Sequence, residues 1–198
     1  MKFQYNKMAI QRIEKDLQIR MNALPTLKAK ETALRMEAKK MSRQRDDLDF
    51  EYRAITNQNR EFAGLWMEFP DLLTISKSEL EYKNIAGAKI PVLKNIEFKI
   101  REYSLYANRA WTPGAAELLK EMTILSVQIS LINQGLAILQ QVRKKTTQKV
   151  NLYEKVQIPE YRDAIRKIKR FIEDEENLSR ASQKMVKERH LAEAGFNE

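Results

Sequence analysis

The stretch IQRIEKDLQIRMNALPTLKAKETALRMEAKKMSRQRDDLDFEYRAI, from Ile10 to Ile55, decides the fold class. Alternating steps of three and four residues pick out Ile10, Ile13, Leu17, Arg20, Leu24, Leu27, Glu31, Leu34, Ala38, Met41, Arg45, Leu48, Tyr52 and Ile55. The same stepping runs on through Asn59, Phe62, Trp66 and Phe69, and fourteen of these eighteen positions are apolar or aromatic. A 3.5-residue spacing lines one seam of a helix, and a seam held for about eight heptads marks a coiled coil rather than an ordinary amphipathic helix. The phase survives Pro25. The pattern therefore predicts one helix with a kink or local break at Pro25, ended by Pro70. From Ile10 to Phe69 such a helix spans roughly 90 Å at 1.5 Å per residue.

A second long helix is expected from Thr112-Pro113-Gly114 onward. Thr112 suits an N-cap, Pro113 the first helical position and Glu117 the first turn. Its seam is Ala115, Leu118, Met122, Leu125, Ile129, Ile132, Leu136 and Leu139. A second apolar stripe, Ile124, Val127, Leu131, Ile138 and Val142, lies beside it, so this part is expected to be buried on more than one side. Ile158, Tyr161, Ile165, Ile168 and Ile172 form a further stripe in a shifted phase. The shift falls at Ile158-Pro159, where a kink or a stutter in the supercoil is expected.

The middle segment has another texture. Gly87 supplies a turn, and Ile96, Phe98 and Ile100 alternate with charges, which predicts a small β-hairpin over about 80–103. Pro91 limits one strand to edge pairing. The fold class is thus mainly α: a long antiparallel two-helix coiled coil with a small β element. The expected divisions are 1–69 (N-terminal helix), 70–111 (middle segment), 112–190 (C-terminal helix) and 191–198 (flexible tail).

Composition removes several functions. The 198 residues include no Cys, so disulfides, thiolate metal sites and Cys nucleophiles are excluded. His190 is the only His, which argues against His-paired metals and a Ser-His triad. No phosphate-binding glycine loop is present. Met1 to Gln11 lacks the apolar core of a signal peptide, and a cytosolic protein is expected. The formal charge is +9, carried as +6 over residues 1–60, −1 over 61–142 and +6 over 143–190. Such a balance suits an acidic partner: nucleic acid, an anionic membrane surface or an acidic protein.

Residues 122–142 carry no charge for 21 positions. Thr123, Ser126, Gln128, Ser130, Asn133, Gln134, Gln140 and Gln141 are too many polar groups for an unpaired span in lipid, so a helix buried against protein is the better reading. The acidic cluster Asp46, Asp47, Asp49 and Glu51 reads as a solvated face paired with Arg43, Arg45 and Arg53. Trp66 and Trp111 flank the middle segment. Each is either a core residue or an anchor for a partner.

Lys149-Val150-Asn151-Leu152-Tyr153-Glu154, followed by Ile158-Pro159, Ile165, Ile168 and the acidic run Glu173 to Glu176, resembles the D subunits of the rotary V-type and A-type ATPases. That family carries R-V-N-A-L-E-x-x-x-I-P-x-L-x-x-T-I-x-x-I and then E-E-x-E. Here Lys149 stands for the family's Arg and Tyr161 for its Leu. Leu27-Lys28-x-Lys30-x-x-x-Leu34 is similar to the family's L-L-K-x-K-x-x-x-L, and Lys83-Asn84-Ile85 with Lys89-Ile90-Pro91 to its K-N-I…V-K-V-P. Two departures stand out. The family's N-terminal Asn-Pro-Thr is here Asn6-Lys7-Met8, and Pro25 falls where the family usually has no proline.

The resemblance implies a non-catalytic central rotor axle without a cofactor. It would couple ATP hydrolysis or synthesis to H⁺ or Na⁺ translocation. The implied partners are the ring of A and B subunits, the small F subunit of the stalk and a connector to the membrane rotor ring, with no nucleic acid. Its place would be cytoplasmic and peripheral to the membrane.

An axle needs a packed seam, here Ile13, Leu17, Leu24, Leu27, Leu34, Met41, Leu48 and Ile55 against Leu118, Leu125, Ile129, Ile132, Leu136, Leu139, Ile158, Ile165 and Ile168. Trp66, Ile124, Val127, Leu131 and Ile138 are the candidate contacts for the small stalk protein, because the second stripe has no partner in a two-helix coil. Lys167, Lys169 and Arg170 are the candidate contacts for acidic loops of the ring. The rival functions are a basic coiled-coil nucleic-acid-binding protein and a peripheral membrane scaffold.

Overall fold

The computed structural model describes residues 4–101 and 109–194. In chain order these form α1 (Lys7–Gln58), a 3₁₀ turn (Arg60–Phe62), α2 (Ala63–Trp66), β1 (Leu73–Ile85), β2 (Ala88–Ile100), α3 (Thr112–Asn151), a π-helix (Leu152–Gln157) and α4 (Ile158–Ala194). The fold is mainly α, with one two-stranded antiparallel sheet. The chain divides into two compact units that cut across the segments expected from sequence. One comprises Met1–Ala29 with Thr147–Glu198, the other Lys30–Thr146.

Asn6 starts α1, its side-chain oxygen accepting from the Ala9 amide at 2.7 Å. Pro25 lies inside the helix, which runs without interruption. The far end corrects the sequence expectation: α1 stops at Gln58, not at Phe69. Two side chains compete for the last-turn carbonyls. Thr56 Oγ1 donates to Tyr52 O at 2.8 Å and Asn59 Nδ2 to Ile55 O at 2.8 Å. The apolar spacing outlives the helix into the short turns that follow.

The hairpin is longer than expected, beginning at Leu73 and ending at Ile100; residues 102 and 103 of the expected range lie outside the described residues. Its two-residue turn has φ of 49° at Ala86 and 83° at Gly87, the left-handed pair of a type I′ turn. Asn84 Oδ1 braces it by accepting from the Gly87 amide at 3.0 Å. Register shifts leave Ser76 and Lys94 as extra residues in their strands. These bulges restore phase. They keep Leu73, Ile75, Leu80 and Tyr82 on one face with Ile100, Phe98, Leu93 and Pro91, their ladder partners.

In the Lys30–Thr146 unit, the turn end of the hairpin packs on both helical segments. Leu34 and Met41 of α1, Ala88 and Ile90 of β2 and Leu136 and Leu139 of α3 form one buried cluster. Gly135 makes the approach possible. A Cβ there would lie 2.6 Å from Ile90 Cγ2 and 2.7 Å from Met41 Cε, so any larger residue would force those side chains to shift. An interior helix glycine costs about 1 kcal/mol relative to Ala, and here that cost is offset by the docked hairpin.

In the other unit, Ile13 of α1 packs against Tyr161, Ala164 and Ile168 of α4, flanked by Ile10, Leu17, Ile165 and Ile172. The phase shift anticipated at Ile158-Pro159 takes the form of the π-helix. The Ile158 amide bonds back five residues, to Tyr153 O. Pro159 has no amide for the α-helical bond to Lys155 O, and its ring crowds that carbonyl, so a widened turn before it relieves the clash.

Thr112 departs from its expected role. Its hydroxyl donates to Arg109 O at 2.8 Å instead of capping α3, and the carbonyl of Trp111 accepts the early helical bond from the Ala115 amide at 3.0 Å. The flexible tail expected at 191–198 is helical through Ala194, and 195–198 lie outside the described residues.

Candidate functional site

All seventeen seam residues chosen from sequence are shielded to some degree. Ile13, Leu34, Met41, Leu125, Leu136, Leu139, Ile158 and Ile168 are buried. Leu17, Leu24, Leu27, Leu48, Ile55, Leu118, Ile129, Ile132 and Ile165 are half-buried. Burial on this scale is the packing term that stiffens a helix pair, at about 25 cal/mol per Å² of apolar surface.

The candidate partner face rested on a second stripe of α3 that has no partner within a two-helix coil, and the structure brings a third element to part of it. Leu131 is 8 % exposed, and Ile138 and Val142 pack against the cluster that the hairpin completes. The hairpin is the missing partner, and sequence alone did not show it folding back there. Ile124 and Val127 remain half-buried. Leu131 also lines a cleft of about 520 Å³ with Met41 and Leu48 of α1 and Ile90 and Val92 of β2, to which Glu37, Asp47 and Lys83 add charged lining.

Trp66 is half-buried, in a tilted aromatic run: its ring centroid is 6.4 Å from Phe69, which is 6.2 Å from Trp111. Both indoles line a cavity of about 350 Å³ together with Asn59, Leu65 and Leu118. Trp111 Nε1 is buried there without a hydrogen-bond partner among the described residues. The rings pack on one another through Phe69 and also border that cavity.

The charged candidates behave differently from one another. Lys167, Lys169 and Arg170 are all exposed. Lys169 Nζ sits 3.1 Å from Glu14 Oε1 across to α1. Two more ion pairs tie α1 to the facing helical run of this unit, Lys7 to Glu176 of α4 at 2.8 Å and Lys28 to Glu154 of the π-helix at 2.6 Å. The acidic cluster on α1 pairs locally, Arg45 with Asp46 and Arg53 with Asp49. Among the described residues no group of three or more His, Asp or Glu is placed to hold a metal ion.

Sequence reasoning passed over Arg20, a charge at a seam position. Its Nε donates to Gln157 Oε1 at 2.7 Å and one terminal nitrogen to Asp16 O at 2.9 Å, while its guanidinium lies 4.8 Å from the Tyr161 ring centroid. A charge in an apolar seam was the signal that could have found it. Gly135 was signalled likewise, as a lone glycine inside an apolar helical run.

By length and composition the continuous helical run Thr112–Arg189, made of α3, the π-helix and most of α4, contains a window apolar enough to cross a membrane. That window belongs to the part of the helix that supplies Leu131, Leu136 and Leu139 to the packed unit.

The comparisons with known proteins follow the same outline. The family model described as the ATP synthase D subunit matches residues 9–188. The V-type ATP synthase D subunit of Borreliella burgdorferi is 27 % identical over 192 residues, covering 94 % of this chain and 94 % of the relative. The protein of the same description from Chlamydia caviae is 29 % identical over 172 residues, covering 84 % and 83 %. That from Chlamydia pneumoniae is 26 % identical over 185 residues, covering 90 % and 88 %.

Proposed function

The chain belongs to the ATP synthase D-subunit family, and from that premise we propose that it is the central rotor axle of a V-type ATPase. The observation that carries the reading is the family match, which spans both packed units. In this role the chain holds neither the nucleotide nor the ion. It turns inside a ring of A and B subunits, joins the small F subunit of the stalk and a connector to the membrane rotor ring, and stays peripheral to the membrane. Its rotation couples ATP hydrolysis or synthesis to H⁺ or Na⁺ translocation.

Each duty falls on different residues. The shielded seam supplies torsional stiffness. The exposed Lys167 and Arg170, which have no ion pair among the described residues, make passing contacts with acidic loops of the ring. Lys169 shares its charge with Glu14 and serves the helix pair as well. The small stalk protein seats on the half-buried Ile124 and Val127 and on the cleft beside Leu131, with Trp66 as an aromatic anchor.

The test is a pull-down of tagged chain from its own cells, with the bound proteins identified by mass spectrometry. Recovery of both ring proteins and the small stalk protein supports the axle. Recovery of nucleic acid or lipid-associated partners without those proteins overturns it.

A further inference from the structure

Three ion pairs act as a ruler along the unit formed by Met1–Ala29 and Thr147–Glu198. From Lys7 to Glu14 is seven residues on α1, and from Lys169 to Glu176 is seven on α4. From Glu14 to Lys28 is fourteen residues on α1, but from Glu154 to Lys169 is fifteen on the facing helical run. Two heptads therefore face two heptads plus one residue. The extra residue lies where the π-helix Leu152–Gln157 widens the helix, since a π turn holds one residue more than an α turn of the same rise.

A skip residue of this kind has no fixed address in principle. A π turn migrates along a helix by exchanging one hydrogen bond at a time, and each step rotates the residues it passes by about 100° relative to the partner helix. Two features of this chain oppose that migration. Pro159 removes the amide that an α turn would need directly after the π-helix. Arg20 grips the π-helix from α1: it bonds Gln157, its last residue, and spans the rings of Tyr153 and Tyr161 at 6.0 and 4.8 Å. Its own position is fixed by Asp16, through the backbone carbonyl at 2.9 Å and the carboxylate at 3.6 Å.

We propose that Arg20 is a register pin. It is a positioning residue that holds the skip at 152–157 and so specifies which faces of the two helices meet in this unit. An apolar residue in its place fills the seam but pins nothing, as with other single polar residues that fix coiled-coil register. The proposal rests on the geometry of this unit and stands or falls apart from the rotor reading.

The full chain has no native Cys, so two introduced thiols report register without background. In the pinned register Lys28 faces Glu154. If the skip moves toward Thr147, fourteen residues instead of fifteen separate Lys28's partner from Lys169, and that partner becomes Lys155. Adjacent helical residues point about 100° apart, so a short bis-thiol reagent distinguishes the two. With Arg20 present, the pair K28C/E154C is expected to join and K28C/K155C to remain largely unjoined.

In Arg20→Leu, the ratio of the second product to the first is expected to rise about tenfold, the scale set by losing a charge-assisted hydrogen bond. E14C/K169C, on the other side of the skip, is expected to join as before. Gln157→Ala, which removes only the acceptor and leaves the seam intact, is expected to move the ratio in the same direction by less. An unchanged ratio in both variants overturns the proposal.

Discussion

The two packed units solve the same problem with different means. In the Lys30–Thr146 unit, α1 and α3 gain a third layer, the hairpin tip, and Leu34, Ile90 and Leu139 become almost fully buried. In the other unit, two helical segments face each other without a third layer among the described residues, and the cluster of Ile13, Tyr161, Ala164 and Ile168 is accompanied by ion pairs and by one seam arginine. The first unit is specified by fit: Gly135 admits Ile90 and Met41 and little else. The second is specified by charge and by a counted extra residue. A third layer makes register a matter of shape, whereas a bare helix pair, whose seam is self-similar every heptad, needs polar groups to choose one alignment.

The largest test of this contrast is truncation at matched burial. Leu139→Ala is expected to cost about 3–5 kcal/mol, because three elements surround the site and leave a cavity that cannot collapse. Ile168→Ala, equally buried but held by two segments, is expected to cost about 2–3 kcal/mol, since the helices can close on the gap. Chemical denaturation of the full chain measures both, and equal losses would break the contrast. Gly135→Ala comes next. Helix propensity alone predicts a gain of about 1 kcal/mol, whereas overpacking against Ile90 predicts a loss of about 1–3 kcal/mol. A net loss, with faster amide exchange over 85–90, is expected. A net gain would show that the hairpin tip is not tightly seated.

Much of this was legible beforehand, and the reasons are local. The seam was readable because its period is carried by most turns of α1 and by every turn of α3 from Ala115 to Leu139. The phase shift was readable because Ile158 and Ile168 leave the earlier stepping, although its form as a π-helix was not. The hairpin's first strand was misjudged because the bulge at Ser76 interrupts the alternation from Leu73 to Tyr82. The partner of the second α3 stripe was missed because nothing short of tertiary structure brings Ile90 to Gly135. The end of α1 was misjudged because a proline twelve residues beyond Gln58 is a louder signal than Thr56 and Asn59, whose side chains in fact take the last-turn carbonyls.

A smaller effect sharpens the shape side of the contrast. Ala86 holds φ at 49°, a conformation that costs a residue with a Cβ about 1–2 kcal/mol. Ala86→Gly removes that strain, loses a half-buried methyl against the core and adds unfolded-state entropy. A net gain of about 0.5 kcal/mol in thermal or urea unfolding is expected, with slower exchange at Ala88 and Ile90. A loss would mean that the Ala86 methyl contributes more to docking than the turn strain costs.

The smallest effect belongs to the charged unit, at Lys7 and Glu176. The hydrogen bond from the Lys7 ammonium, and after it the ammonium's charge, hold the Glu176 carboxyl below its ordinary 4.5. The same bond, and then the carboxylate's charge, hold Lys7 above its ordinary 10.5. A carboxyl whose value is lowered on folding stabilises fully above its unfolded value, and the contribution drains away as pH falls through the folded one. For the lysine the contribution is complete below 10.5 and is lost as pH rises through its raised value. The pair therefore holds across the neutral range and fails first on the acid side. Both groups are open to water, so the effect is modest and shrinks as salt is added. The Ala9 amide, bonded to Asn6 at the start of α1, is the reporter. Its exchange rate in Glu176→Gln divided by that in the parent cancels the intrinsic pH dependence. The ratio is expected to exceed one near neutral pH and to fall to one below the carboxyl's folded value. A ratio flat at one would show that this ion pair contributes nothing to holding the start of α1, and that the charges specifying this unit are confined to Arg20 and the pairs nearer the π-helix.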